Sequence, residues 1–177
     1  MPSPIGHALG GALVGLLVER RRTQRAVPLA AFAVVAVLPD VDFFWGRHNM
    51  ETHSIGAAVL AGLAVLAWTR GRNPWLAFAV TLAWSSHVLF DWLGSDDTPP
   101  LGVMAFWPVT SKFYFADAFV FEAISRRYWL PNFVPHNAWA VAKEIVILGP
   151  AFLLIRAFRL RVPRRSRHPG KGSRFRA

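Results

Sequence analysis

Five apolar segments dominate this chain: Ile5–Val18, Ala26–Leu38, Ile55–Trp68, Trp75–Phe90 and Ala138–Phe158. The first, third and fourth carry no polar stripe wide enough for a solvated helix face. Helices apolar on all sides belong in a large core or a membrane. A chain of 177 residues cannot hide five of them in a soluble core. The expected fold is therefore all-α: a helical integral membrane bundle of about five short apolar helices. Length is the tension in this reading. At about 1.5 Å per residue, helices of these sizes reach roughly 21–24 Å, against a hydrocarbon thickness of ~30 Å. Only the last segment spans comfortably, and it contains Lys143, Glu144 and Pro150. The stretch Ser95–Lys112, rich in Pro, Gly and Asp, is a loop by composition. Phe113–Trp129 is aromatic with interspersed charges, and is expected to form a helix lying at the interface.

The formal charge of +10 suggests nucleic acid until it is divided along the chain. Nine Lys/Arg and no acids follow from Arg156 onward, so the body, with eleven basic and ten acidic residues, is almost neutral. One domain is expected over residues 1–160, with 161–177 a basic, disordered tail. After an apolar segment, such a tail reads as a cytoplasmic flank attracted to anionic lipid, with no specific nucleic acid partner. Arg20, Arg21, Arg22 and Arg25 follow the first apolar run rather than precede it, which is not the order of a signal peptide.

Ionisable groups at the ends of apolar segments are costly, and therefore informative. With no cysteine in the chain, any metal must be held by His, carboxylate or water. Leu38-Pro39-Asp40-Val41-Asp42 puts two acids directly after an apolar helix. In an extended segment residues two apart point the same way, so Asp40 and Asp42 can converge; the alternative is solvated acids in a helix C-terminal turn. His48 and His53 lead into the third segment, where Thr52 or Ser54 is placed to cap the helix. His87 and Asp91, four apart, share one helix face. His7 lies near the start of the first segment, as a ligand or as a packing residue. Together these residues make an N/O ligand set suited to Zn²⁺, with Mn²⁺ or Fe²⁺ as alternatives.

In order and spacing, Gly-His-Ala-Leu-Gly-Gly from Gly6, Leu-Pro-Asp-Val-Asp from Leu38, His-x-x-x-Thr-His-Ser from His48 and Ser-His-x-x-x-Asp from Ser86 form a pattern. Asp-x-x-Pro-x-Gly-Val from Asp97 and Phe-Trp-Pro from Phe106 extend it. Over roughly residues 1–115 this resembles the YdjM-like family of membrane-bound metal-dependent hydrolases. That family is in turn distantly similar to the all-α zinc-dependent phospholipase C and single-strand nuclease group. The resemblance implies a divalent metal held by Asp40 or Asp42, His53, His87 and Asp91, with His7 near a second ion. Asn49 follows His48 where the family usually has Arg, and no His-x-x-x-Glu pair follows Asp91 to complete a three-metal cluster.

The expected activity is hydrolysis of a phosphoester, small-molecule or lipid, by a metal-activated water. His7, His48, His53, His87, Asp40, Asp42 and Asp91 are the candidate ligands. Asp40 and Asp42 divide coordination and proton acceptance. The rival reading is a non-catalytic membrane protein with a structural metal site or a polar His/Asp network. Trp45, Trp92 and Trp107 are expected to anchor helix ends at the interface rather than stack on substrate. The expected location is a prokaryotic inner membrane. Cytoplasmic loops are enriched in Lys and Arg. Placing Arg20–Arg25, Arg70, Arg72 and the tail inside sends all seven candidate ligands to the non-cytoplasmic ends of five crossings.

Overall fold

The computed structural model describes residues 1–18 and 27–161. It is all-helical in its named elements. Helix α1 spans Pro4–Val18, α2 Leu29–Val37, α3 Ile55–Trp68, α4 Pro74–Trp92 and α5 Phe133–Arg161, and a 3₁₀ helix, Leu38–Trp45, directly extends α2. The arginine cluster 20–25 and the tail from 162 lie outside the described residues.

The helices pack small residues inward and leave large ones outward. Gly6, Gly10, Gly11 and Gly15 of α1 are buried, as are Ala58 and Gly62 of α3 and Ala77, Ala79 and Ala83 of α4. Leu17, Val34, Leu60, Leu63, Phe78 and Leu89 face outward. A soluble core is built the other way round. Small interfacial residues let helix backbones approach closely where the surroundings are as apolar as the side chains. At Gly11 the approach is tight enough to exclude any side chain: a Cβ there would lie 2.3 Å from the Phe32 carbonyl oxygen. At Gly62 it would lie 2.0 Å from the Thr81 hydroxyl.

Among the described residues, one helix is long and apolar enough to cross a membrane. This is α5 over Phe133–Arg159, 27 residues with little of its surface covered by the protein. Helices α1 and α3 are shorter apolar helices. Helix α2, with 9 residues, is shorter than its apolar segment suggests.

Two expectations are corrected. Asp40 and Asp42 lie in a 3₁₀ helix, not an extended segment, because Pro39 sits at the start of a tight turn that it favours. Residues 113–129 form no helix. Their backbone groups bond instead to other parts of the chain: Ala116 N–H to Trp92 O at 2.9 Å and Val120 N–H to Leu93 O at 2.7 Å. The stretch 95–112 is irregular, as its composition implies, and is tied to the segment after it by an isolated antiparallel bridge between Val103 and Tyr114. Trp92 turns inward, packing edge-on to Phe106 at 5.7 Å, while Trp45 is exposed.

Candidate metal centre

Local structure and one longer-range clip deliver His7, His53, His87 and Asp91. His87 and Asp91 stand one turn apart on α4, with Nε2 and Oδ2 at 3.0 Å. Ser54 caps α3 by accepting from Ala57 N–H at 3.0 Å, which fixes the backbone beside His53. The Trp84 indole donates to Thr52 O at 2.8 Å and clips the 46–54 loop onto α4. His7 follows the first turn of α1, where Ser3 Oγ accepts from Gly6 N–H at 3.2 Å.

His7, His53, His87 and Asp91 are buried, at 0–1% exposure, in a region of otherwise apolar helices. His53 Nε2 is 3.4 Å from Asp91 Oδ2 and 3.6 Å from Asp40 Oδ1, and His87 Nε2 is 3.7 Å from the same Asp40 oxygen. His7 Nε2 approaches Asp91 Oδ1 at 3.3 Å, and its ring stacks on His87 with centroids 3.7 Å apart. Asp40 is the partly open member, its side chain 28% exposed.

The hydrogen bonds around this centre show which atoms are left for an ion. His87 Nδ1–H donates to Ala36 O at 2.7 Å, so Nε2 turns its lone pair inward. His53 Nδ1 faces Asp42 Oδ2 at 3.0 Å and Thr52 Oγ1 at 3.1 Å, which likewise frees Nε2. His53 Nε2, His87 Nε2 and both Asp91 oxygens are buried without a hydrogen-bond partner. Four orphaned polar atoms converging in an apolar interior are unfavourable by themselves and suited to a cation. Two imidazole nitrogens and carboxylate oxygens form a donor set that a divalent metal accepts. Three groups bring one ligand atom from each member within 4.8 Å of the others: His53–His87–Asp91, His7–Asp40–His87 and Asp40–His48–His53. The first two share His87, which has one nitrogen to give, and so describe alternatives around one centre.

The candidates separate into two shells. His7, Asp40, His53, His87 and Asp91 surround the centre. Asp42 and His48 lie behind His53: Asp42 Oδ1 takes His48 Nδ1–H at 2.9 Å, while its Oδ2 takes Thr52 and His53. Successive residues of a 3₁₀ helix turn about 120°, so Asp40 and Asp42 reach opposite nitrogens of one imidazole rather than a common point. His48 has both nitrogens engaged, the second with Arg126 Nη2 at 2.7 Å. Burial works to raise the carboxyl of Asp42, yet the hydrogen bonds from His48 and His53 hold it well below its ordinary range. Asp40 is also lowered: burial opposes it, but the nearby imidazole of His53 and the charges of His87 and His7 prevail. Burial would lower His53, but Asp40 and Asp42 push it up to about 9.

Sequence reasoning missed the Ala36 carbonyl, the Trp84 clip and Arg126. A backbone acceptor leaves no residue-type signal, and Arg126 is 78 positions from the histidine it meets. Thr52, read as a possible helix cap, bonds Asp42 instead.

The family model for the YdjM inner membrane protein matches residues 1–162. No curated protein and no solved structure matches the chain. The match takes in every helix and every residue of the His/Asp centre, and the chain belongs to the YdjM inner membrane protein family.

Proposed function

We propose that this protein is a membrane-embedded hydrolase of phosphoesters that uses a single divalent metal, zinc in the first instance, held by His53, His87 and Asp91 with Asp40 beside the open position. The observation that carries the reading is the set of buried, unpartnered ligand atoms at His53, His87 and Asp91 beside a carboxylate, Asp40, that reaches solvent. A bound ion supplies Lewis-acid polarisation of a phosphoryl oxygen and activation of water. The chain does the rest. Asp42 and the Ala36 carbonyl orient the two imidazoles, and the surrounding helices exclude bulk water. Asp40, at the open edge, takes the proton from the attacking water. His7 packs on His87 and offers one further nitrogen. The outward large apolar residues and the family's inner-membrane location support a lipid phosphoester within reach of the site. The five-crossing layout, with the centre on the non-cytoplasmic side, accounts for Arg70 and Arg72 at the far ends of α3 and α4.

One observation favours the rival, structural reading: most of the centre is sealed at 0–1% exposure. Asp40 is what separates the two, because structural sites are closed whereas catalytic ones keep a position open. The test is metal content, together with hydrolysis of a chromogenic phosphodiester, on detergent-purified protein after metal-replete expression. About one ion per chain is expected, lost in His53→Ala and Asp91→Ala. Asp40→Asn should keep most of the metal and lose turnover. Metal without turnover in the wild type makes the centre structural, and no metal at all ends both readings.

A further inference from the structure

A polar cavity of about 360 Å³, lined by His48, opens between the 46–50 loop and residues 96–100 and 123–129. Its charged lining is unevenly partnered. Asp96 accepts from Gly102 N–H at 2.9 Å and Thr98 N–H at 3.2 Å, and Asp97 faces Arg127 at 3.8 Å. Arg126 has no carboxylate partner among the described residues. It is held by other means: Nη2 bonds His48 Nε2 at 2.7 Å, and the guanidinium lies 4.7 Å above the Phe43 ring. Helix α5 fixes the loop that carries it. Asn137 receives Ser125 N–H at 2.7 Å and returns a bond to Ser125 O at 2.9 Å, and Lys143 pairs with Glu122 at 2.5 Å.

An exposed arginine ordinarily moves freely. This one is oriented on two sides while most of its five N–H groups remain unused. That arrangement lowers the ordering cost of binding a bidentate oxyanion. We propose that Arg126 and this cavity form a subsite for a phosphate group of the ligand, distinct from the group that meets the metal. The separation is set by the chain Arg126–His48–Asp42–His53, which places one imidazole and one carboxylate between guanidinium and metal ligand. Resting on the hydrolase reading, this names the substrate class as a phosphoester carrying a second anionic group remote from the reacting bond. The phosphate belongs either to a lipid head group or to a soluble ester.

The experiment is calorimetric titration of inorganic phosphate and of glycerol phosphate into the detergent-purified full chain, with metal content measured on the same samples. Arg126→Gln should weaken binding about tenfold or more, and Arg126→Lys should do so in part. Metal content should stay unchanged in both. Arg127→Gln, whose partner is Asp97, should stay within about twofold. Equal affinity in Arg126→Gln, no phosphate binding by the wild type, or an equal loss in Arg127→Gln overturns the subsite. So does loss of metal in Arg126→Gln, since Arg126 would then act through His48 on the centre. A wild type without metal that still binds phosphate through Arg126 would sink the hydrolase reading and leave the subsite standing. A second arm places the protein in nanodiscs with or without phosphatidic acid. Weaker phosphate binding in the acidic discs identifies the lipid as the source, and unchanged binding identifies the soluble ester.

Discussion

Asp42 Oδ2 lies 3.0 Å from His53 Nδ1, on the opposite side of the imidazole from the nitrogen that faces Asp91. The carboxylate thus fixes the tautomer and the ring orientation of a candidate ligand without entering the centre. Such carboxylate–histidine pairs raise ligand basicity and commonly matter to affinity nearly as much as the ligands do.

Asp42→Asn should therefore weaken metal binding by about 10- to 100-fold while leaving the stoichiometry at saturation unchanged. Competition with a chromogenic chelator measures this. An affinity equal to that of the wild type would mean that Asp42 does not orient His53.

The metal-free protein and the metal complex should respond to pH in opposite directions. His53 has its pKa raised from 6.5 to about 9 in the folded chain. The stabilisation from its proton is fully present below 6.5 and is lost as pH rises through about 9. Thermal unfolding in chelator should show stability falling across that window. An ion must displace the same proton, so apparent metal affinity should rise by about tenfold per pH unit there and level off above it. Asp42, lowered by its partners, adds stability that is present at neutral pH and lost on strong acidification. A metal affinity flat across the window would show that His53 is not a ligand.

Gly11→Val should cost about 3 kcal/mol or more, because the new Cβ would collide with the Phe32 carbonyl, a backbone atom that cannot turn away. The readout is the yield and melting temperature of detergent-purified protein. Gly149→Ala is the control, since its nearest neighbour is the Ile145 side chain at 3.8 Å. Equal melting temperatures for the two variants would show that α1 and α2 do not pack at Gly11.

Sidedness can be read with single cysteines in a chain that has none. Thr98 and Arg72 are exposed and lie at opposite ends of α4. Thr98→Cys should react with an impermeant maleimide in intact cells, and Arg72→Cys only after permeabilisation. The reverse pattern would put the metal centre on the cytoplasmic face, and labelling of both from one side would end the five-crossing layout.

The sequence by itself determined where α1, α3 and α4 run and where ionisable side chains interrupt the apolar runs, because both signals are local. Unbroken apolar runs delimit α1, α3 and α4 to within a residue or two, and His87 and Asp91 meet because one helical turn separates them. Ionisable side chains at the ends of those runs had to be explained, and five of the seven surround one centre. What it could not decide is which of them faces the centre. Asp40 and Asp42 differ by two positions, yet the 3₁₀ turn sends them to opposite nitrogens of His53. Glu144 shows the same limit. In the sequence it is a charge interrupting the last apolar segment. In the fold it is fully buried and receives Ser3 N–H at 2.6 Å, holding α5 against the start of α1. Residues 113–129 have the amphipathic composition of an interfacial helix but form none, because their hydrogen-bond partners lie on distant parts of the chain. Composition reports how a segment meets its solvent. Partners brought together across tens of residues are chosen by packing, and only the tertiary structure contains that choice.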